Sequence, residues 1–293
     1  LRDMVREFSV NEIRPNAQSV DTGIFPSENI KKMAELGLMG IPWDEKYGGN
    51  GMDSIALVIA IEELGKECAS TAATMMAHTS LGTAPIAIFG TDEQKKKYLP
   101  DLCSGKMLGA FGLTEPNAGS DAGNTQTRAV AKDDGYIVNG QKVFCTNAGY
   151  AGTIIFTAIL ESDSKDKKIG AFIVEKGTDG LRIGEPEDKM GWKGSDTRSI
   201  YFEDMKLLKE SLLGSPKKGF NTMINNKSIL EWSKILLNLS KKGLQKRNIK
   251  NKSGKDESIF LKNIENTLLN KKTKAEKTIE DFNEKKGIDF FYE

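Results

Sequence analysis

The hydrophobic period of this chain changes once, at Gly105, and that change limits the fold more than any other feature. From Leu1 to Gly90 apolar residues recur at helical spacing: Met4, Val5 and Phe8, then Ile30, Met33, Leu36 and Leu38, then Ile55, Leu57, Val58, Ile61 and Leu64. Turn chemistry separates these runs at Phe25-Pro26-Ser27, Gly40-Ile41-Pro42 and Tyr47-Gly48-Gly49-Asn50-Gly51. In DEQKKKYLPDL, Thr91 or Asp92 is expected to cap a short helix that stops before Pro100. Beyond Gly105 the period is two. MLGAFGLTE, TQTRAVAKDD, GYIVNGQKVFCT, TIIFTAILES, KIGAFIVEKG and RSIYFEDMKL read as strands, with Asp134-Gly135 and Asn139-Gly140 as hairpin signals. The pattern predicts an α+β chain: a bundle of about five helices over residues 1–105, then a compact antiparallel β domain over 106–220. A helical layer followed by a β layer argues against a doubly wound sheet, and neither GxGxxG nor GxxxxGK[ST] occurs.

Composition narrows the chemistry. The 293 residues include 38% hydrophobic and 28% charged side chains, an ordinary soluble balance, with no apolar run of the roughly 20 residues a bilayer span requires. No membrane partner is expected. Cys68, Cys103 and Cys145 are odd in number and far apart, which argues for a reducing compartment and against a disulfide framework or a CxxC metal site. With His78 as the one histidine, no metal site is expected, and His78 reads as a packed helix residue. The chain opens on Leu1 inside a helical run and is expected to lack its natural start. The net charge of +1 hides a break near Phe220: residues 1–220 carry 26 basic and 31 acidic side chains, residues 221–293 carry 16 and 10. Glycine falls across the same point from 26 residues to 3.

The stretch FGLTEPNAGSD, residues 111–121, crowds small and hydroxyl-bearing residues behind a strand. Thr114 and Ser120 offer hydroxyls, and Gly119 lets a flat or phosphorylated ligand touch the backbone, whose successive N–H groups form a nest for an anion. Phe144-Cys145-Thr146-Asn147 ends a later strand and is expected to face the same cavity. Both segments also serve as tight turns, and the pattern alone leaves the two readings open.

TEPNAGSD, NGQKVFCTNAG and MGWKGSDTRSIYFED, in that order and spacing, resemble the middle domain of the acyl-CoA dehydrogenase family. KMAELGLMGIPWDEKYGGNG, IEELGKECAS and FGTDEQKKKYLPDLCSGK resemble its N-terminal helical domain. The likeness runs over residues 1–220 and is greatest to the short-chain, butyryl-CoA type. It implies FAD as cofactor and α,β-dehydrogenation of an acyl-CoA to the 2-enoyl-CoA. A carboxylate takes the α-proton in that family, while the β-hydride goes to the flavin. The resemblance assigns Phe111, Leu113, Thr114, Gly119 and Ser120 to the flavin and thioester, Thr146 to the flavin N5 side, and Phe144 to an aromatic position flanking the ring. Cys145 falls beside the flavin as a buried strand residue. Ser120 also meets the acyl-CoA arm, and Asp196 and Arg198 lie near the substrate or flavin mouth, where they look like an ion pair. Trp192 is expected to pack in the β domain. A homotetramer passing electrons to electron-transfer flavoprotein is implied, in the bacterial cytoplasm or the mitochondrial matrix.

The likeness stops after Gly219-Phe220. In the family a helical domain follows, carrying a CoA-binding arginine in a DGGR-like helix, an RxxFG segment and a catalytic glutamate in a YEGT-like motif. Residues 221–293 contain none of these. This Lys/Asn-rich tail is expected to form helices through Ile229–Leu239 and Ile259–Leu269. Its KKGLQKRNIKNKSGK run is a solvated basic face without stacking aromatics, so nucleic acid is not an expected partner. So sharp a break is expected of a truncated, recombined or frameshifted gene product. No catalytic base is assigned, and a non-catalytic remnant or binding subunit is the alternative to an active enzyme.

Overall fold

The computed structural model describes residues 1–161 and 168–214. The helices expected within 221–293, and the tail as a domain, lie outside them.

The helical pattern resolves into five rods. The first joins α1 (Arg2–Phe8) to α2 (Ala17–Asp21) through a π-helical turn at Ser9–Ile13 and a 3-10 turn at Arg14–Asn16. After α3 (Ser27–Glu35) and α4 (Ser54–Glu67), α5 (Ala69–Ala77) continues through a π-helical turn at His78–Thr83 into α6 (Ala84–Phe89). Each π turn comes directly before a proline-bearing helix start, at Pro15 and at Pro85. Proline lacks the N–H and its ring crowds the preceding turn, so widening that turn lets the rod run on. Asp53 caps α4 by accepting the Ala56 N–H at 2.8 Å. Thr91 and Gln94 form a capping box on α7 (Asp92–Cys103). That helix runs through Pro100 instead of stopping before it, and its last turns bury Leu99, Leu102 and Cys103. Tertiary burial outweighs the local break. Among the described residues no helix is long and apolar enough to cross a membrane.

Among the described residues seven strands form one sheet: β1 (Leu108–Gly112), β2 (Arg128–Lys132), β3 (Gly135–Thr146), β4 (Ala151–Glu161), β5 (Lys168–Glu175), β6 (Leu181–Pro186) and β7 (Thr197–Leu208). The helical bundle followed by a β domain is as expected, but the sheet is mixed. β2–β3, β3–β7, β4–β5 and β6–β7 are antiparallel, whereas β1 and β2 each run parallel to β4. Since β5 occupies one edge of β4 from Thr153 to Leu160, β1 and β2 share the other, β1 ending opposite Phe156 and β2 starting opposite Ile159. The two strands are halves of one line, and residues 113–127 loop out between them. Asp134-Gly135 does close the β2–β3 hairpin. Asn139-Gly140 does not turn, because β3 passes straight through it with a register shift against Asp204 on β7. The Asn139 amide exchanges two hydrogen bonds with Asp204, which absorbs the mismatch inside the ladder.

The β core stacks Phe156 against Phe172 and Phe202, with ring centroids 5.6 and 4.2 Å apart. A second core joins the layers: Ile86, Leu99 and Leu102 pack with Ile155 and Ile173. His78 pins the seam. It is fully buried, its Nε2 lies 3.1 Å from the Leu102 carbonyl, and its Nδ1 accepts the Gly109 N–H at 3.0 Å. Burial pushes its pKa down to about 4, so the ring is neutral and packed, as expected.

Candidate functional site

The break between β1 and β2 builds the site. A loop leaving the middle of a sheet must find partners for the backbone groups at its neck. Thr114 keeps its place in the ladder, accepting the Val143 N–H at 2.8 Å, and Thr127 returns to it by accepting the Ile159 N–H at 2.8 Å. Between them the Glu115 carboxylate accepts the N–H groups of Gln126 at 2.5 Å and Thr127 at 3.0 Å, together with the Thr125 hydroxyl. Lys142, on β3, reaches through the gap. Its Nζ donates to Glu115 Oε1 at 2.7 Å, the Leu113 carbonyl at 3.2 Å, and the hydroxyls of Thr125 and of Thr157 on β4 at 3.0 Å each.

Both members of this ion pair are buried. Burial by itself raises the Glu115 pKa, but the bonds from Lys142, Thr125, Thr127 and Gln126 together outweigh it and hold the carboxyl at about 2. Burial holds the Lys142 pKa below that of a free lysine, and Glu115 offsets only part of that shift. Every contact around Nζ is an oxygen acceptor, the surroundings a buried ammonium needs. Gly112 makes room for the lysine stem, since a Cβ there would lie 3.1 Å from Lys142 Cγ. The sequence reading assigned no role to Glu115, Thr125, Thr127 or Lys142. One signal was available: Tyr136, Val138 and Lys142 fall on the inward parity of β3, and a lysine at such a position demands a buried anion.

Along β3 the alternation then breaks. Lys142 pairs with Ile200 and Cys145 with Arg198, so one extra residue is accommodated at Val143-Phe144. Phe144 takes φ +57° and is 63% exposed. A bulky residue in the left-handed region costs roughly 1–2 kcal/mol, and an exposed ring gains little burial to offset it. Such strain points to a ligand. Cys145 turns inward beside Phe111, and burial pushes its thiol up to about 12, with Asp196 adding to the effect. It is an inert core residue, as expected, and all three cysteines are free and buried.

Phe111, Leu113, Thr114, Phe144, Cys145 and Thr146 therefore come together at the loop neck and the end of β3. Gly119 and Ser120 lie on the exposed part of the loop, and among the described residues no hydrogen bond joins them to 144–146. The Pro116-Asn117 turn that leads to them is closed by paired backbone bonds between Glu115 and Ala118, at 3.0 and 3.1 Å. A Cβ at Gly119 would meet nothing within 4 Å. Asp196 and Arg198 form the expected ion pair, Oδ1 to Nε at 2.7 Å. Asp196 also accepts the Gly149 N–H at 2.7 Å and its carbonyl accepts the Asn147 N–H at 2.8 Å, so the pair holds the turn after Thr146. Trp192 is not packed: it has φ +54° and is 55% exposed. Its loop anchors instead through Gly194, where a Cβ would fall 2.4 Å from Val20 Cγ1, and the indole is left outside.

The chemistry available here is recognition of a flat ligand carrying polar edges. Phe144, exposed and held in a strained conformation, shares its strand end with Thr146 and follows Val143, whose N–H donates to the Thr114 carbonyl; the hydroxyls of Thr114, Thr146 and Ser120 are engaged in no hydrogen bond among the described residues. Comparisons with known proteins place the chain among relatives. The acyl-CoA dehydrogenase N-terminal domain family matches residues 1–106 and the acyl-CoA dehydrogenase middle domain matches 110–205. The short-chain specific acyl-CoA dehydrogenase of Clostridium acetobutylicum is 48% identical over 221 residues, covering 75% of this chain and 58% of that protein. The structure of butyryl-CoA dehydrogenase from Megasphaera elsdenii is 42% identical, with a TM-score of 0.71, covering 75% of this chain and 59% of that one. The acyl-CoA dehydrogenase complexed with FAD from Bacillus anthracis is 37% identical with a TM-score of 0.69, covering 74% of this chain and 38% of that one. The chain thus spans under two thirds of the length of these relatives. With both family domains matched in order over a sheet and bundle of the same form, the chain belongs to the acyl-CoA dehydrogenase family.

Proposed function

We propose that residues 1–214 form the flavin and acyl-CoA cradle of an enzyme that dehydrogenates short-chain acyl-CoA thioesters, with FAD as cofactor. The observation that carries this is Phe144, an exposed aromatic residue held at φ +57° on the strand end that also carries Thr146, directly after Val143, which is bonded to Thr114. The residues fit the cofactor: the Thr114 and Thr146 hydroxyls would donate to its polar groups, and Phe144, Phe111 and Leu113 would offer it apolar contact. Bound FAD supplies the two-electron acceptor. On the substrate side Ser120 meets the acyl-CoA arm from the loop, and Arg198, its side chain 22% exposed, stands with Asp196 at the mouth. Electron-transfer flavoprotein as acceptor, a homo-oligomer, and a bacterial cytoplasmic or mitochondrial matrix location complete the proposal, all resting on the family.

A second reading, binding without turnover, draws on one observation. The carboxylates at the loop neck and at the turn after Thr146 are both committed: Glu115 to Lys142 and the loop neck, Asp196 to Arg198 and Gly149. Neither is available to take an α-proton, a role worth about 10²- to 10⁴-fold in rate. The test uses the full chain saturated with FAD, butyryl-CoA and an artificial electron acceptor at pH 7–8. Flavin retention, a butyryl-CoA-dependent change in the flavin spectrum and turnover well below about 1 s⁻¹ are expected. Turnover of an ordinary enzyme would overturn the second reading; absence of flavin binding would overturn the first.

A further inference from the structure

The Glu115–Lys142 pair sits where the sheet lacks a strand, and that location says what it is for. Had β1 run on into β2, the stretch opposite Thr157 would have been filled by peptide groups. Instead, charged side chains stand in for them: the ammonium binds the Leu113 carbonyl and the Thr157 hydroxyl, and the carboxylate binds the N–H groups of Gln126 and Thr127. A buried ion pair adds little to stability compared with apolar residues of the same volume. Its distinctive property is directional, because each partner loses several bonds at once if the neck shifts. What the neck fixes is Thr114, bonded to Val143 next to the strained Phe144.

We propose that Glu115 and Lys142 are positioning residues of the ligand site, setting the separation of the Thr114 edge from the Phe144 ring by clamping the neck of the 113–127 loop. The role assigned to them rests on the flavin reading above; the clamping itself does not.

The experiment compares the full chain with Lys142→Met, Thr125→Val and the double variant Glu115→Gln/Lys142→Met. Each is titrated with FAD while the absorption and fluorescence of bound flavin are recorded, and amide hydrogen exchange across 113–127 is measured without flavin. Lys142→Met is expected to weaken FAD binding by about tenfold or more, to alter the spectrum of the flavin that binds, and to speed exchange in the loop while the β4–β5 amides stay protected. The double variant, with no unpaired buried charge, is expected to recover its unfolding midpoint but neither the flavin spectrum nor the affinity. Return of all three would make the pair structural only and overturn the proposal. Thr125→Val keeps both charges and the side-chain volume and is expected to act in the same direction more weakly, so a Lys142→Met chain that fails to fold leaves the proposal falsifiable. Folded variants that bind FAD within about twofold of the parent, with its spectrum and its loop exchange, would overturn it. If the parent chain binds no FAD the flavin reading fails, and the exchange data alone then decide the clamp.

Discussion

The helical region and the β region handle charge and strain in opposite ways. In the helices the Glu63 carboxylate is buried, yet its partners Arg2, Arg6 and Lys66 come from the surface and keep much of their side chains in water. Burial raises the Glu63 pKa, and the bonds from Arg6, Lys66 and Arg2 overcome it and hold the group at about 2. In the β region both Glu115 and Lys142 are enclosed. Strain divides likewise. Among the described residues every non-glycine with positive φ, Asp133, Phe144, Asn147, Trp192 and Asp204, lies beyond Gly105. The helical region is a regular support, whereas the β region spends stability on geometry around one loop and one strand end. That is the division expected when one layer carries a site and the other holds it.

The largest test of this contrast is at the seam. His78 is neutral with a folded pKa of about 4 against 6.5 for an unperturbed ring, so between those values the unfolded chain holds more protons. Stability therefore rises with pH across that window, and about 3 kcal/mol is lost on acidifying from above pH 6.5 to below pH 4. Urea midpoints from pH 7 to 4 are expected to fall accordingly, and His78→Gln to flatten the upper part of the fall. An unchanged slope in that variant would place the acid sensitivity elsewhere. Next in size is Gly82→Ala. A Cβ at Gly82 would lie 2.3 Å from the Gly109 backbone, so the rod and β1 must separate, at a cost of about 1–3 kcal/mol. The same measurement reads it, and a neutral result would mean the layers are not rigidly joined there.

Phe144→Gly sharpens the comparison from the other side. Removing a strained, exposed ring is expected to raise stability by about 1 kcal/mol in thermal unfolding while weakening FAD binding. If both properties fell, the ring would be a packing residue. The smallest effect is expected in the regular region. Gly65 lies inside α4, where a Cβ would approach nothing nearer than the Ala72 Cβ at 3.6 Å, so Gly65→Ala should stabilise the chain by about 0.5–1 kcal/mol without touching ligand binding.

The sequence by itself determined what depends on neighbours along the chain. Helical and strand periods located the two layers, Thr91 or Asp92 marked the start of α7, and the small residues of 111–121 marked an approachable loop. It also identified His78 and Cys145 as packed, because one histidine without ligand companions and one cysteine without a base have little else to do. Tertiary structure decided the rest. A period of two says which face of a strand is inward but not which strand lies beside it, so the parallel pairing of β1 and β2 along one edge of β4 was invisible. With it were hidden the gap that Lys142 fills, 27 positions from Glu115, and the extra residue that turns Phe144 outward. Proline at 100 and Asn139-Gly140 were misleading for the same reason. Each carries a local preference of a few kcal/mol at most, and burial of α7 and a continuous β3–β7 ladder outweigh it once distant segments meet.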